Sequence, residues 1–501
     1  MKMIVCYTIF RTTNTEVVMS LLYLSPADNR ARRVNDDIFS NLNIDKLLDD
    51  KTLDVMALSI TKDELLCRRE VFRRLLDCGL YRVFYKLRAE LADLDSCFYV
   101  FDKSTNLLEQ IFRAKNVFES YKRAWETVTG IDPNGNPLLQ QLKDHLQTMD
   151  NAIAKLDKFS KDHQEELDAF SRGRIRLGGG ASLVAPSNGS CGTVDQFVSL
   201  AQSIGIDITD PMAHSRNVKL NDHFAANYCI AHRKRASVLS AYPKLIADLD
   251  RGILNYRDEV DFYIKVCDLV TKASTHGIKW VLPHITDSKC FNASNVYDIS
   301  LLGEGVESIV PNDVWLSQAE HVFFIIGANG GGKTSYLRAV AINALLATAG
   351  CPIFAEAASI YSFNKIYTHF PADESFTGSG RFLEEKQRTD IILNVCGEND
   401  LVFMNETFSG TDEQKGSDET VSVARRLNEN GCMGLIVTHF GAIPFDNYPV
   451  LCTDVNGEER TFRIIRRDKR INAHADDILK KYDLTSDLIS KRLQRRNSNG
   501  T

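Results

Sequence analysis

The run Gly327-Ala328-Asn329-Gly330-Gly331-Gly332-Lys333-Thr334 constrains this chain more than any other segment. His321-Val-Phe-Phe-Ile-Ile326 precedes it and reads as a buried strand by composition. Tyr336-Leu-Arg-Ala-Val-Ala-Ile-Asn-Ala-Leu-Leu follows it and reads as an apolar-periodic helix. A strand, a glycine turn and a helix in that order leave little freedom. The glycines permit the tight backbone that turns its N–H groups inward. The helix N-terminus adds the positive end of its dipole. An anion fits where these converge. The run satisfies G-x-x-x-x-G-K-[ST], so Lys333 is expected to reach the β- and γ-phosphates of a nucleotide and Thr334 to ligate Mg²⁺. Gly327 to Thr334, with Ser335, are the expected ATP-binding residues. The bland alternative is a glycine-rich turn, and both correct flanks speak against it.

A second strand carries the complementary chemistry. Leu401-Val-Phe-Met404 is apolar and ends in Asn405-Glu406, the pattern of a Walker B strand. An Asp ordinarily stands first and helps hold the Mg²⁺ shell; here Asn405 takes that place. An amide accepts a hydrogen bond from metal-bound water but brings no charge, so weaker Mg²⁺ binding and slow turnover are expected. The expected metal set is Thr334, Asn405 and Glu406. Glu406 is the expected residue to orient or deprotonate the attacking water. His439 ends a third apolar strand, Gly434-Leu-Ile-Val-Thr438, where a histidine can sense the γ-phosphate. A lone histidine is more often structural.

Strands alternating with helices from about Lys279 predict a mostly parallel sheet flanked by helices. The chain ahead of it reads differently. Leu65, Phe72, Leu76, Leu80, Val83, Leu87, Leu91 and Leu94 recur at helical steps, with Gly79 expected to divide two helices. Leu142, Leu146, Met149, Ile153 and Leu156 predict one long packed helix. Gly173 to Gly192, rich in Gly and Ser, predicts a flexible loop. The fold class is therefore α + α/β: a helical region followed by an ATPase domain of the P-loop kind.

Composition excludes little but agrees. The 501 residues are 44% hydrophobic and 25% charged, as in soluble globular chains. A net charge of −6 argues against a simple polycationic nucleic-acid binder, though not against a local basic channel. Twelve cysteines stand singly without CxxC spacing, which argues against zinc and against a disulfide framework. The N-terminal apolar patches are split by Arg-Thr-Thr-Asn-Thr-Glu, too polar a break for a signal or a membrane span. A cytoplasmic protein without a membrane partner is expected.

Taken together, these segments resemble the MutS family of ATPases. Val310-Pro-Asn312-Asp313 precedes the glycine loop as in that family, and GANGGGKTSYLRAVA is similar to its GPNMGGKSTYLRQVA. Cys351-Pro-Ile-Phe-Ala355-Glu356 with Lys365-Ile-Tyr-Thr-His369 resembles the strand pair after the loop helix. Glu406-Thr-Phe-Ser409-Gly410-Thr411 resembles the D-loop, Thr438-His439 the switch histidine, and Ala473 to Leu493 the helical dimerisation element. The resemblance implies three segments: 1–40 of open fold, a helical core and lever over 41–275 with a shortened clamp, and the ATPase domain over 276–501. It implies ATP and Mg²⁺ as cofactors, a homodimer through the ATPase domain, and duplex or branched DNA as partner. Asn-Glu in place of Asp-Glu matches a divergent bacterial branch.

Three departures qualify it. No Phe-x-Glu wedge stands where a mismatch-reading domain would lie; Phe382-Leu-Glu384 and Phe354-Ala-Glu356 fall inside the ATPase segment. Direct mismatch recognition is therefore not expected. The Ser-Thr-Phe signature reads Ser379-Gly380-Arg381-Phe382, and the adenine-stacking aromatic reads Ile309. The competing reading is a nucleotide-gated DNA clamp or scaffold with little turnover. Structural-maintenance-of-chromosomes ATPases are disfavoured, because their signature and long coiled coils are missing. Basic clusters at Arg68-Arg69, Arg73-Arg74, His232 to Arg235, Arg466-Arg467, Lys469-Arg470 and Arg495-Arg496 offer phosphate contacts or merely solvated faces.

Overall fold

A computed structural model describes residues 20–25, 30–77, 79–171, 174–176, 182–184, 233–306, 308–371, 379–409, 412–440, 447–456 and 459–466. The chain divides into two compact units, 1–28 with 80–260 and 29–79 with 261–501. The segment 29–79 thus groups with the C-terminal residues and not with the helices that follow it.

The first unit is helical over most of its described length. Its long helices are Leu80–Asp102 and Leu107–Thr129. The Asn106 side chain caps the second, accepting from the Glu109 N–H at 3.0 Å. Buried Leu87, Leu91 and Leu94 face buried Ile111, Phe118 and Tyr121. The expected single helix after the Asp132–Pro137 turn is two helices, Pro137–Gln147 and Asp150–Asp162. The apolar stripe survives the break: Leu142, Leu146, Ile153 and Leu156 are all buried. Asp150 opens the second helix, where a carboxylate meets the positive helix end, and its side chain accepts from Trp125 Nε1 at 3.0 Å. Of the Gly173–Gly192 loop only a short antiparallel pair is described, Arg174–Arg176 with Ser182–Val184.

The second unit opens with a strap from Arg30 to Leu58 and the helix α1 (Lys62–Asp77). Gly79, at φ +76°, follows α1, so the break expected there is present. Four strands then build a small sheet: β1 (His284–Thr286), β2 (Cys290–Val296), β3 (Asn312–Ser317) and β5 (Ala357–Tyr361), in the order β1-β5-β2-β3. The main sheet holds β4 (Val322–Ile326), β6 (Lys365–His369), β7 (Asp400–Asn405), β8 (Met433–Val437), β9 (Val450–Asn456) and β10 (Glu459–Arg466). Its order is β10-β9-β4-β8-β7-β6, parallel throughout except for the β9–β10 hairpin. Strands β4, β7 and β8 are buried at every position, as continuous apolar runs in a parallel sheet should be.

The helices α2 (Lys333–Thr348), α3 (Ser379–Val395) and α4 (Glu413–Glu429) pack on the main sheet. Helix α2 is buried on nearly every face. The strap covers part of it. Arg33, 3% exposed, donates to the Leu345 carbonyl at 3.2 Å, and Arg338 donates to the Asn41 carbonyl at 3.1 Å. Asn35 closes on the β6 backbone, accepting from and donating to Thr368 at 2.9 Å each. The α + α/β expectation is met in outline. No helix among the described residues is long and apolar enough to cross a membrane.

Candidate nucleotide-binding site

Parallel register brings the strand ends together. Val437 pairs with Ile325 on one side and with Asn405 on the other. The C-terminal ends of β4, β8 and β7 therefore lie side by side, the edge where open α/β sheets bind ligands.

The glycine loop leaves β4 at that edge. Gly327 sits at φ +135°, and a Cβ there would come within 2.1 Å of Thr453 Oγ1. Gly330 (φ +72°) is similarly closed, with Arg460 Nη1 2.4 Å from the place of a Cβ. Both backbones favour glycine, and at Gly327 the space does too, whereas the Arg460 tip over Gly330 can swing aside. Lys333, 3% exposed, folds back into its own loop. Its ammonium donates to Gly327 O at 2.8 Å, Ala328 O at 3.2 Å and Asn329 Oδ1 at 3.4 Å. Burial lowers its pKa, the Glu406 carboxylate opposes that, and Arg460 adds to it.

The partners on β7 stand opposite. Thr334 Oγ1 donates to Asn405 Oδ1 at 3.1 Å. Glu406 lies 3.9 Å from the Lys333 ammonium. Its backbone has φ +45°, and Phe408 has φ +67°. Non-glycine residues in that region cost of order 1–3 kcal/mol each and gather at functional sites. The surroundings hold the turn in place. Glu406 N–H donates to Val437 O at 3.0 Å, and the buried Glu385 carboxylate accepts from Phe408 N–H at 2.8 Å. Thr407 Oγ1 and His369 Nδ1 meet at 3.4 Å. His369 is 1% exposed, and burial, reinforced by the Arg388 charge, pushes its pKa down to about 4.

The donor set suits Mg²⁺. A hydroxyl, an amide oxygen and a carboxylate are hard oxygen ligands, and Mg²⁺ in such sites also takes waters and substrate phosphates. Among the described residues no group of three His, Cys, Asp or Glu gathers to hold a metal. A metal here would need the nucleotide to complete its shell.

His439 follows β8 directly after Thr438; it is half-buried, and its ring centroid lies 4.6 Å from that of Phe440. Phe382 of the altered signature packs on Phe408 at 5.6 Å, while the side chains of Ser379 to Arg381 lie outside the described residues. So do Gly410-Thr411 and the segment Ala473 to Leu493.

The β9–β10 hairpin supplies residues that motif reading missed. Thr453 lies against Gly327 and Gly331, Arg460 donates to the Gly330 carbonyl at 3.4 Å, and Phe462 lies 3.6 Å from the place of a Gly332 Cβ. Asn312, of the Pro-Asn-Asp step, ties the hairpin down: it donates to Phe462 O at 3.2 Å and accepts from Ile464 N–H at 2.7 Å. Phe462 keeps 48% of its surface exposed beside the loop, whereas Ile309 is half-buried and offers no ring. Hairpin residues carry no short motif, and only pairing across the sheet brings them to the loop.

Residues 323–467 match the family model of MutS domain V. Over this stretch the chain is similar to MutS proteins. Three relatives illustrate the extent. A DNA mismatch repair protein MutS of Thermus aquaticus is 36% identical over 132 residues, 26% of this chain and 16% of that protein. MutS of Fervidobacterium nodosum is 31% identical over 137 residues, 27% of this chain and 17% of that protein. DNA mismatch repair protein MSH3 of Arabidopsis thaliana is 29% identical over 190 residues, 37% of this chain and 17% of that protein. The matched stretch thus spans less than a fifth of each relative's own length.

Proposed function

We propose that the chain is a MutS-like, Mg²⁺-dependent ATPase of the P-loop type that couples ATP binding and hydrolysis to DNA handling as a dimer. One observation carries the reading: the buried Lys333 ammonium occupies the glycine loop between Thr334–Asn405 on one side and Glu406 on the other. An ammonium held by loop carbonyls and an amide, with one carboxylate at 3.9 Å, has donors that a phosphate can take over. The γ-phosphate would draw Lys333 away from Gly327 O and Ala328 O, and the loop N–H groups with the α2 N-terminus would take the β-phosphate. Bound Mg²⁺ would neutralise phosphate charge, held through Thr334 and, by way of water, Asn405. Glu406 orients the attacking water or takes its proton. His439 reads the γ-phosphate, and Phe462 offers a ring for the base in place of Ile309.

The relatives' names supply the DNA partner, and repair or recombination is the process proposed. Direct mismatch recognition is not part of the proposal. Arg68 does not serve DNA: it is fully buried and donates to the Ala349 carbonyl at 3.4 Å. Arg73 pairs with Glu70 at 2.6 Å and Arg466 with Glu320 at 2.6 Å. Arg233 and Lys234, exposed on the short helix Arg233–Leu239, remain the better phosphate contacts.

A second reading has its own support. Asn405 contributes no charge beside Thr334, which favours a nucleotide-gated clamp with little hydrolysis. Steady-state hydrolysis with Mg²⁺, with and without duplex and branched DNA, separates them. DNA-altered turnover supports the ATPase. Tight ATP binding with no turnover supports the clamp, and no ATP binding refutes both.

A further inference from the structure

A cysteine follows the C-terminal end of each of the helices α3 and α4. Cys396 follows the last residue of α3, its N–H donating to Ile392 O at 2.9 Å. Cys432 lies just past the α4 terminus, its N–H donating to Leu427 O at 3.0 Å, and leads into β8. Both thiols turn to the same stretch of backbone, that of Cys396 donating to Leu393 O at 3.9 Å and that of Cys432 meeting the residue after Cys396. Asn430, two residues before Cys432, reaches the first cysteine: its amide donates to Leu393 O at 2.9 Å and to Cys396 Sγ at 3.5 Å. The Cys432 thiol also reaches the Gly397 carbonyl at 3.1 Å. Lys289, from the β1–β2 turn, donates to Gly431 O at 2.6 Å and sets a cation beside Cys432.

Buried cysteines commonly pack as small apolar groups. This pair differs in three respects. Both thiols reach one short turn, Leu393 to Gly397, an amide donor is aimed at one of them, and an ammonium stands next to the other. Cys396 keeps 7% exposure, Cys432 none. The neighbouring Cys432 thiol, then Asn430 and its own backbone, lower the pKa of the Cys396 thiol against burial, while Cys432 moves up. One nucleophile and one resolving thiol result.

We propose that Cys396 and Cys432 form a peroxide-sensitive dithiol, at which oxidation links the C-terminal ends of α3 and α4. The Cys396 thiolate attacks a peroxide oxygen; the S–O bond forms as the O–O bond breaks, and the departing hydroxide leaves as water after taking a proton. Cys432 sulfur then attacks the sulfenic sulfur of Cys396. The S–S bond forms, the S–O bond breaks, and the Cys432 proton leaves in a second water. Two thiols and one peroxide give one disulfide and two waters, with two electrons passing from sulfur to oxygen. The loop so closed contains β7, the Asn405–Glu406 turn and α4, so oxidation stiffens the segment that carries the proposed water-orienting acid.

The test is peptide mapping of the full chain after brief treatment with hydrogen peroxide and alkylation, without reduction. A Cys396–Cys432 linked peptide is expected as the main product. It should disappear with dithiothreitol, be absent from Cys396→Ser and Cys432→Ser, and persist in Cys351→Ser, whose thiol burial pushes up to about 12. Alkylation of Cys396 should proceed at lower pH than that of Cys351. The wild-type map decides the matter even where a serine variant does not fold. Sulfinic acid at Cys396 without a cross-link, linkage elsewhere, or no reaction would overturn the proposal.

Discussion

At the scale of single residues, the site turns on one substitution within an otherwise ordinary pattern. Asn405 holds the Thr334 hydroxyl at 3.1 Å as a carboxylate would, but without its charge. Asn405→Asp should raise both Mg²⁺ affinity and turnover, by about tenfold if it restores one charge-assisted contact of ~1.4 kcal/mol. Unchanged rates across a Mg²⁺ titration would reject the amide as the limiting feature. His369 illustrates what motif reading passes over. It was legible as the end of a strand and not as the buried partner of Thr407. Its folded pKa, about 4, lies below the ordinary 6.5, so the fold prefers the neutral ring. Its contribution is complete above pH 6.5 and is lost as pH falls from 6.5 through 4. The full swing is about 3 kcal/mol. Denaturant melts of wild type and His369→Gln across that window should converge as pH falls; parallel curves would show that His369 carries no such linkage.

At the scale of elements, the strand–loop–helix and the Asn-Glu strand end were readable because each is local. A glycine turn, an apolar run and a terminal acid are written in consecutive residues. The β9–β10 hairpin was not readable as part of the site, because Thr453, Arg460 and Phe462 reach the loop only through parallel pairing of β9 with β4. The helix break at Thr148–Met149 escaped for the opposite reason, since the apolar spacing runs through it unchanged. The hairpin also explains why Gly327 tolerates nothing larger. Gly327→Ala combines a positive φ with a clash on Thr453, so a loss of ~2–4 kcal/mol is expected in thermal or urea melts. A melt within ~0.5 kcal/mol of wild type would show that the hairpin yields.

At the scale of the whole molecule, the segment 29–79 returns to the second unit and anchors on α2 and β6 through Arg33, Asn35 and Asn41. No local pattern announces this; it depends on contacts between residues some three hundred positions apart. The proposed DNA handling is tested at this scale too. Replacing Arg233 and Lys234 together with Glu should weaken duplex binding at low salt and flatten its salt dependence by up to about two phosphate contacts. An unchanged salt slope would place DNA elsewhere on the molecule.

The central claim is that Glu406 acts on water at a nucleotide held by Lys333. Its most direct test is steady-state ATP hydrolysis by wild type and Glu406→Ala, with ATP affinity measured alongside. The account predicts a wild-type rate at or below about 1 s⁻¹, falling at least tenfold in the variant while ATP remains bound. Equal turnover in the two proteins would contradict it.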